Sequence, residues 1–425
     1  MDLSLDRDAW ALAQDAADPL AHFRDAFHIP QQQGRELHYF VGNSLGLQPR
    51  SATAAIAEEL ASWATSAVEG HFRGERPWMH YHTSLREPMA RVVGAQPSEI
   101  VVMNTLTVNL HLLMASFYRQ TRERPAILIE AGAFPSDRHA VTSQIRFHGF
   151  DPASELIELE ADEPNGTISL AAIERALARH GPRIALVLWP GVQYRTGQAF
   201  DLAAITRLAK AQGCACGFDL AHAAGNLPLA LHDSGTDFAA WCTYKYLNSG
   251  PGAVAAAFVH ERHAYRPDLP RFAGWWGHRP ETRFLMEPDF EVAAGADGWQ
   301  LSNPPILAMA PIRASLDLFD AATMPALRGK SLRLTGYLDA LAKAHLADRI
   351  RVLTPADPTQ RGCQLSLRVH GGRDHGRALF EHLAKNGVLG DWREPDVIRI
   401  SPAPLYNRFS EVLAFARAVR DWPQA

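Results

Sequence analysis

Between about residues 100 and 260, short apolar runs alternate with longer amphipathic ones, an order that few folds accommodate. Ile100-Val101-Val102-Met103 is followed by a helical pattern from Thr107 to Arg119, and Ala126-Ile127-Leu128-Ile129 by another near Ser136 to Arg146. Then come Ile184 to Leu188, Cys216 to Asp219, Phe238 to Trp241 and Ala253 to Ala256. Strands without polar alternation are buried on both faces, so this order predicts an α/β fold with a mainly parallel sheet between helices. Ligands of such sheets bind beyond the carboxyl ends of the strands. Thr107, Phe134, Asp219 and Lys245 are all expected there.

After about residue 310 the pattern restarts as a smaller α+β unit. It comprises a long helical stretch from Ile312 to Leu346, a strand from Gln364 to Val369, a helix from Gly376 to Asn386 and a strand from Val397 to Ile400. The expected organisation of the 425 residues is an N-terminal helix and arm over 1–50, a large domain over 51–310 and a small domain over 311–425.

Composition closes off several classes of function. A formal charge of −4, with Lys and Arg spread evenly, gives no footprint for nucleic acid or an anionic membrane. No apolar run approaches the ~20 residues of a membrane helix. The acidic N-terminus lacks the basic and apolar regions of a signal peptide. Cys214, Cys216, Cys242 and Cys363 form neither a disulfide framework nor a paired C-x-x-C zinc pattern, so buried thiols in a cytoplasmic protein are expected.

One residue stands out against this background. Lys245 follows the apolar run from Phe238 and precedes Asn248-Ser249-Gly250-Pro251-Gly252, and an ammonium at the mouth of a buried strand is costly unless something uses it. It suits a phosphate-binding point charge, a structural ion pair or a Schiff-base nucleophile. Asp219 closes the strand Gly217-Phe218-Asp219, with His222 three residues later. That pair also fits a metal, although no further ligand cluster is evident and none is expected. An acidic strand end followed by a lysine beyond the next strand suits pyridoxal phosphate: the amine condenses with the aldehyde and the carboxylate keeps the pyridine nitrogen protonated. Thr107, opening a helix, is placed either to meet the phosphate or to serve as a plain N-cap. Phe134, in a loop marked by Pro135-Ser136-Asp137, is placed to cover the ring, and Tyr244 to reach the phosphate or move a proton.

Gly42-Asn43-Ser44-Leu45-Gly46-Leu47, Arg76-Pro77-Trp78, Leu106-Thr107-Val108-Asn109, Phe134-Pro135-Ser136-Asp137, Phe218-Asp219-Leu220-Ala221-His222, Tyr244-Lys245-Tyr246-Leu247-Asn248 and Pro404-Leu405-Tyr406-Asn407 together resemble kynureninase, in order from about residue 39 to 410. The resemblance implies a fold-type-I pyridoxal 5'-phosphate enzyme, related to aspartate aminotransferase, with a mainly parallel seven-stranded sheet and a smaller C-terminal domain. It implies hydrolysis of L-kynurenine, with 3-hydroxykynurenine as a possible second substrate, to anthranilate or its hydroxy form and L-alanine in tryptophan catabolism. Lys245 would carry the cofactor and Asp219 would pair with its ring nitrogen, with Tyr244 moving protons. Leu106, Thr107, Phe134, Pro135, Ser136, Asp137, His222, Trp275 and Asn303 would complete the cofactor contacts. Arg399 would grip the substrate carboxylate, and His71 and Asn303 would recognise the aryl ring. The resemblance further implies a homodimer with shared sites. One departure is Pro190, where the family pattern carries a hydroxyl residue. A cysteine desulfurase would need a mobile nucleophilic cysteine, for which Cys363 is a poor candidate. An aminotransferase or a non-catalytic cofactor carrier shares the cofactor residues, and a nucleotide-binding fold lacks its glycine signature here.

Overall fold

The computed structural model describes residues 6–423, which leaves the first five residues of the acidic N-terminus outside it. A central sheet is built from β1 (Ile100–Val102), β2 (Ala126–Glu130), β3 (Leu156–Leu159), β4 (Ile184–Pro190), β5 (Ala215–Asp219), β6 (Phe238–Trp241) and β7 (Ala256–Val259). Its strand order is β1-β7-β6-β5-β4-β2-β3. β7 runs antiparallel to both neighbours and every other pairing is parallel. β1, β2, β6 and β7 are buried along their whole length, as expected for a sheet covered on both faces. Trp189, Trp241 and Phe218 are almost wholly inaccessible; each contributes about 1.5–3 kcal/mol through burial.

The strand order reverses at β2. Its successor β3 lies on one side and β4 on the other, so a crevice opens between the carboxyl ends of β2 and β4. That is the topological switch point, and every strand-end residue singled out in the sequence lies on this end of the sheet.

Several expectations need correction. β3 carries no strong apolar signal because it is a half-buried edge strand. β7 begins at Ala256, where the sequence pattern started it at Ala253; the preceding Val254 carbonyl is taken by the Thr243 hydroxyl at 2.7 Å rather than by the strand ladder. The long C-terminal helical stretch is two helices, Ile306–Ala322 and Met324–His345. They part at Thr323, which has a φ of 63°, and Pro325 fits the first turn of the second helix, where no N–H is needed.

A second sheet is formed by β8 (Ile350–Val352), β9 (Leu365–Val369), β10 (Asp391–Arg393) and β11 (Val397–Ile400), in the antiparallel order β8-β9-β11-β10. The short β8 and β10 were not expected from sequence. Its core includes Leu338, Leu367, Ile398 and Val412, together with Ala11 of the N-terminal helix and Phe40 of the arm. Trp10 packs on Tyr337 with ring centroids 4.4 Å apart, so the N-terminal segment joins this core.

Candidate active site

A cleft of 470 Å³ opens at the switch point. Leu106, Thr107, Phe134, Ser136, Asp137, Asp219, His222, Tyr244 and Lys245 all line it, and Pro135 sits among them as the first residue of the helix Pro135–Phe147. Pro135-Ser136-Asp137 is therefore a helical first turn, not the loop that the sequence suggested.

Lys245 is held by a turn rather than a strand. Asn248, three residues on, has a φ of 52°, and its N–H donates to the Lys245 carbonyl at 3.0 Å. Gly46 lies against this turn: its N–H donates to the Tyr244 carbonyl at 2.8 Å, and a Cβ there would collide with the Lys245 carbonyl and Asn248. This close approach explains a glycine in the Gly42-to-Leu47 motif.

The Lys245 Nζ lies 3.0 Å from His222 Nε2 and 5.9 Å from the centroid of the Phe134 ring. Burial, with further pressure from Lys245, Arg399 and Arg393, pushes His222 well below the usual imidazole range, so its Nε2 accepts from the ammonium. Its Nδ1 is buried without a partner. Asp219 ends β5, and its Oδ1 accepts from the Ala221 N–H at 2.7 Å. Phe134 stays 40% exposed and lines the cleft, so one face of its ring is open to a ligand.

The helix Leu106–Phe117 begins without a side-chain cap. Its N-cap is Thr105, and Thr107 stands inside the first turn, so the N-cap reading of Thr107 does not hold. The helix after Phe134 is likewise uncapped by a side chain. The first-turn N–H groups of the helix Leu106–Phe117 therefore open on the cleft, which favours an anion. The helix after Phe134 adds only the Ser136 N–H, since Pro135 has none and that of Asp137 donates to the Phe134 carbonyl at 2.9 Å.

Sequence reasoning gave no role to Glu130, Tyr194 and Arg393. Glu130, at the end of β2, is buried with Oε2 unpartnered; burial, then the charge of Asp219, pushes it well above the usual carboxyl range. Asp137 is pushed up in the same way, first by burial and then by Asp219. Tyr194 meets Phe134 edge-on at 5.2 Å, and Arg393 faces the cleft from the second sheet. Glu130 ends an apolar run and was legible as a strand-end carboxylate like Asp219. Tyr194 and Arg393 left no such signal.

The chain as a whole is similar to known proteins. The chain is 66% identical over 417 residues to the kynureninase of Xanthomonas euvesicatoria pv. vesicatoria, covering 98% of both chains. It is 67% identical over 412 residues to that of Stenotrophomonas maltophilia, covering 97% of both. This chain belongs to the kynureninase family. A profile described as the kynureninase C-terminal domain also matches residues 327–419. Among solved structures, the apo cysteine desulfurase of Thermococcus onnurineus NA1 aligns with a TM-score of 0.74 at 16% identity, covering 91% of this chain and 94% of that one. A C-DES K223A mutant with glycine covalently linked to its PLP cofactor aligns at 0.73 and 18%, covering 91% and 97%. These likenesses show the fold, that of fold-type-I pyridoxal-phosphate enzymes.

As in any kynureninase-family chain, the cleft can be tested for fit to pyridoxal phosphate. An amine, a carboxylate at the adjacent strand end, an exposed ring and an uncapped helix start are present, and the orphaned His222 Nδ1 also awaits a partner. The residues fit. Pro190 lines the cleft too and supplies no donor there. His71, Trp275 and Asn303 do not reach it. The His71 Nδ1 lies 3.0 Å from the Val68 carbonyl, Trp275 is 43% exposed and donates to the Arg283 carbonyl, and Asn303 is exposed. Arg399 lies one layer behind the cleft wall, wholly buried and paired with Asp391 at 2.6 Å. Among the described residues, the one group of metal-ligand type is Glu99, His232 and His260, at the other end of the sheet.

Proposed function

We propose that this cleft binds pyridoxal 5'-phosphate and hydrolyses the Cβ–Cγ bond of L-kynurenine, releasing anthranilate and L-alanine in tryptophan catabolism. The placement of Lys245 Nζ 3.0 Å from a neutral His222, below the exposed Phe134 ring and in the same cleft as the strand-end Asp219, carries this reading. When bound, the cofactor supplies a carbonyl for the substrate amine and an electron sink for the carbanion that follows.

The chain does the rest. Lys245 would hold the cofactor, and Asp219 would pair with its ring nitrogen. Phe134 would cover the ring, and the first-turn N–H groups of Leu106 and Thr107, with the Thr107 hydroxyl, would take the phosphate. Ser136 and Asp137 flank the same wall. Lys245, once its amine is free, removes the proton from the substrate Cα, and neutral His222 accepts a hydrogen bond from it. Tyr244 is a proton donor: burial, then Cys242 beside it, raises its phenol far above neutral pH, so it stays protonated to serve the β and γ carbons. Water then adds to the ketone carbon, the Cβ–Cγ bond breaks so that Cγ leaves as the anthranilate carboxylate, and the electron pair left on Cβ takes a proton from Tyr244.

The desulfurase alternative is disfavoured by the thiols. Burial pushes Cys363 up to about 12 and also raises Cys242, which lies nearer the lysine than the sequence suggested, so neither is a ready nucleophile.

The exposed Trp275 and Asn303 and the half-buried His71, none of which lines the cleft of its own chain, support a homodimer in which these residues complete the partner's site and His71 and Asn303 recognise the aryl ring. The 51–310 segment would carry the cofactor, with 1–50 and 311–425 closing over it. Four buried, unpaired cysteines, and no helix among the described residues long and apolar enough to cross a membrane, support a cytoplasmic protein.

Purified protein should be yellow and should convert L-kynurenine to fluorescent anthranilate with equimolar L-alanine. Colourless protein, or turnover that survives Lys245→Ala, would overturn the proposal. Comparing turnover of kynurenine and 3-hydroxykynurenine then settles which ring the site prefers.

A further inference from the structure

The hairpin of β10 and β11 brings three charges to one face of the second sheet. Asp391 pairs across the ladder with Arg399, and Arg393 stands two residues further along β10 on the same face. One carboxylate oxygen, Asp391 Oδ2, accepts from Arg399 Nη2 at 2.6 Å and from Arg393 Nη2 at 3.2 Å. Two guanidinium groups thus share a single anion, and the half-buried cluster keeps an uncompensated positive charge.

The two arginines are not equivalent. Arg399 is almost fully committed: Nη1 donates to the Tyr194 carbonyl at 2.7 Å. Its Nε and Nη2 donate to the Asn43 amide oxygen at 3.1 and 3.2 Å in the amide orientation that these donors dictate. Its side chain is wholly inaccessible. Arg393 lines the cleft, lies 6.0 Å from the Tyr194 ring centroid and keeps a buried Nε with no partner. Both charges depress the basicity of His222, which touches Lys245, so their field reaches the end of the cleft where the substrate's amino-acid part must lie.

We propose that Arg393 is the cleft-facing half of a two-arginine clamp for the substrate's α-carboxylate, with Asp391 as the positioning residue that holds both guanidinium groups. This rests on the function proposed above. An incoming carboxylate meets the cleft-lining guanidinium of Arg393 first, and Arg399 adds its charge and its remaining Nη1 hydrogen from behind. Asp391, packed against both, keeps the forks from swinging apart before substrate arrives.

The test uses the holoenzyme and three probes: L-kynurenine, the carboxylate-bearing product L-alanine, and 2-aminoacetophenone, an aryl ketone without a carboxylate. Arg393→Gln should raise KM for kynurenine and the calorimetric Kd for alanine by about tenfold to a hundredfold, the usual worth of a charge-assisted hydrogen bond. It should leave kcat and the aryl ketone's Kd nearly unchanged. Arg393→Lys should recover part of the loss, which also shows that the fold survives the substitution. Asp391→Asn should weaken alanine binding, and adding Arg393→Gln to it should cost less than the two separate losses combined. Unchanged alanine affinity in Arg393→Gln, or equal weakening of the aryl ketone, would overturn the clamp. Wild-type protein that binds alanine in an Arg393-dependent way yet releases no anthranilate would overturn the proposed function and leave the clamp standing.

Discussion

The two ends of the seven-stranded sheet bury acidic groups under opposite conditions. At the amino end, Asp237 precedes β6 with Oδ2 accepting from the Cys216 N–H at 2.8 Å and Oδ1 facing His263 at 2.9 Å, Arg262, and Lys210 at 3.7 Å. Despite burial, these partners hold its carboxyl far below the usual range. Glu99, beside it at the start of β1, accepts from the backbone N–H groups of Gln96 and Glu261 and from His232. At the carboxyl end, Glu130 and Asp137 lie beside Asp219 without such cations and are pushed up. Both ends bury charge, but only the first neutralises it from within the chain. Polar groups left unmatched by the protein itself mark the end that a ligand completes.

The largest expected effect separates the ends by activity. Lys245→Ala should abolish anthranilate release outright and shift the melting temperature of the cofactor-free protein little, since no carboxylate depends on that ammonium in an ion pair. Asp237→Ala should do the reverse. It strands the cations around Asp237 and should cost about 3–5 kcal/mol of unfolding free energy, measured by urea titration, while the protein that remains folded keeps its KM. Loss of turnover without loss of stability in Asp237→Ala would break the division between the ends.

How much of this was readable beforehand follows the same division. The strand ends Asp219 and Lys245 stood out because a charge closing an apolar run contradicts burial, and such contradictions are visible in one dimension. Phe134 and Thr107 were placed correctly at the cleft because they follow strands by a few residues. Arg399 drew attention, flanked by Ile398 and Ile400, but its layer behind the cleft wall depends on how the second sheet docks on the first. Arg393 and Tyr194 belong to different segments that meet only through that docking, and nothing local in either segment announces it. The split of the long helix at Thr323 was legible but overridden by the shared apolar pattern of the flanking helices: Pro325 suits a helix's first turn and not its interior. His71 and Asn303 were named through resemblance alone, and within one chain neither they nor Trp275 line the cleft.

The pH dependence of stability sharpens the comparison further. Asp237 has its folded-state pKa depressed, so its contribution is present above the unfolded value near ~4 and is lost as pH falls below that. Wild-type urea midpoints should therefore drop on acidification, and Asp237→Asn should flatten that drop.

Glu130 has the opposite sign. Its folded-state pKa is raised, so below the unfolded value, near ~4.3, both states are protonated and the residue costs nothing through ionisation. Above that, the unfolded chain releases the proton while the folded one retains it, and the native state loses stability as pH rises toward the folded value. Glu130→Gln removes the titration and keeps the shape, so the variant should gain stability over wild type at neutral pH and nothing near pH 4, measured by urea titration at both. The gain should shrink further once cofactor is bound, if the cofactor offsets the crowding of negative charge around Asp219. A variant equally stabilised at both pH values would mean that Glu130 strains the cleft by shape alone, and the contrast between the two ends of the sheet would then be steric, not electrostatic.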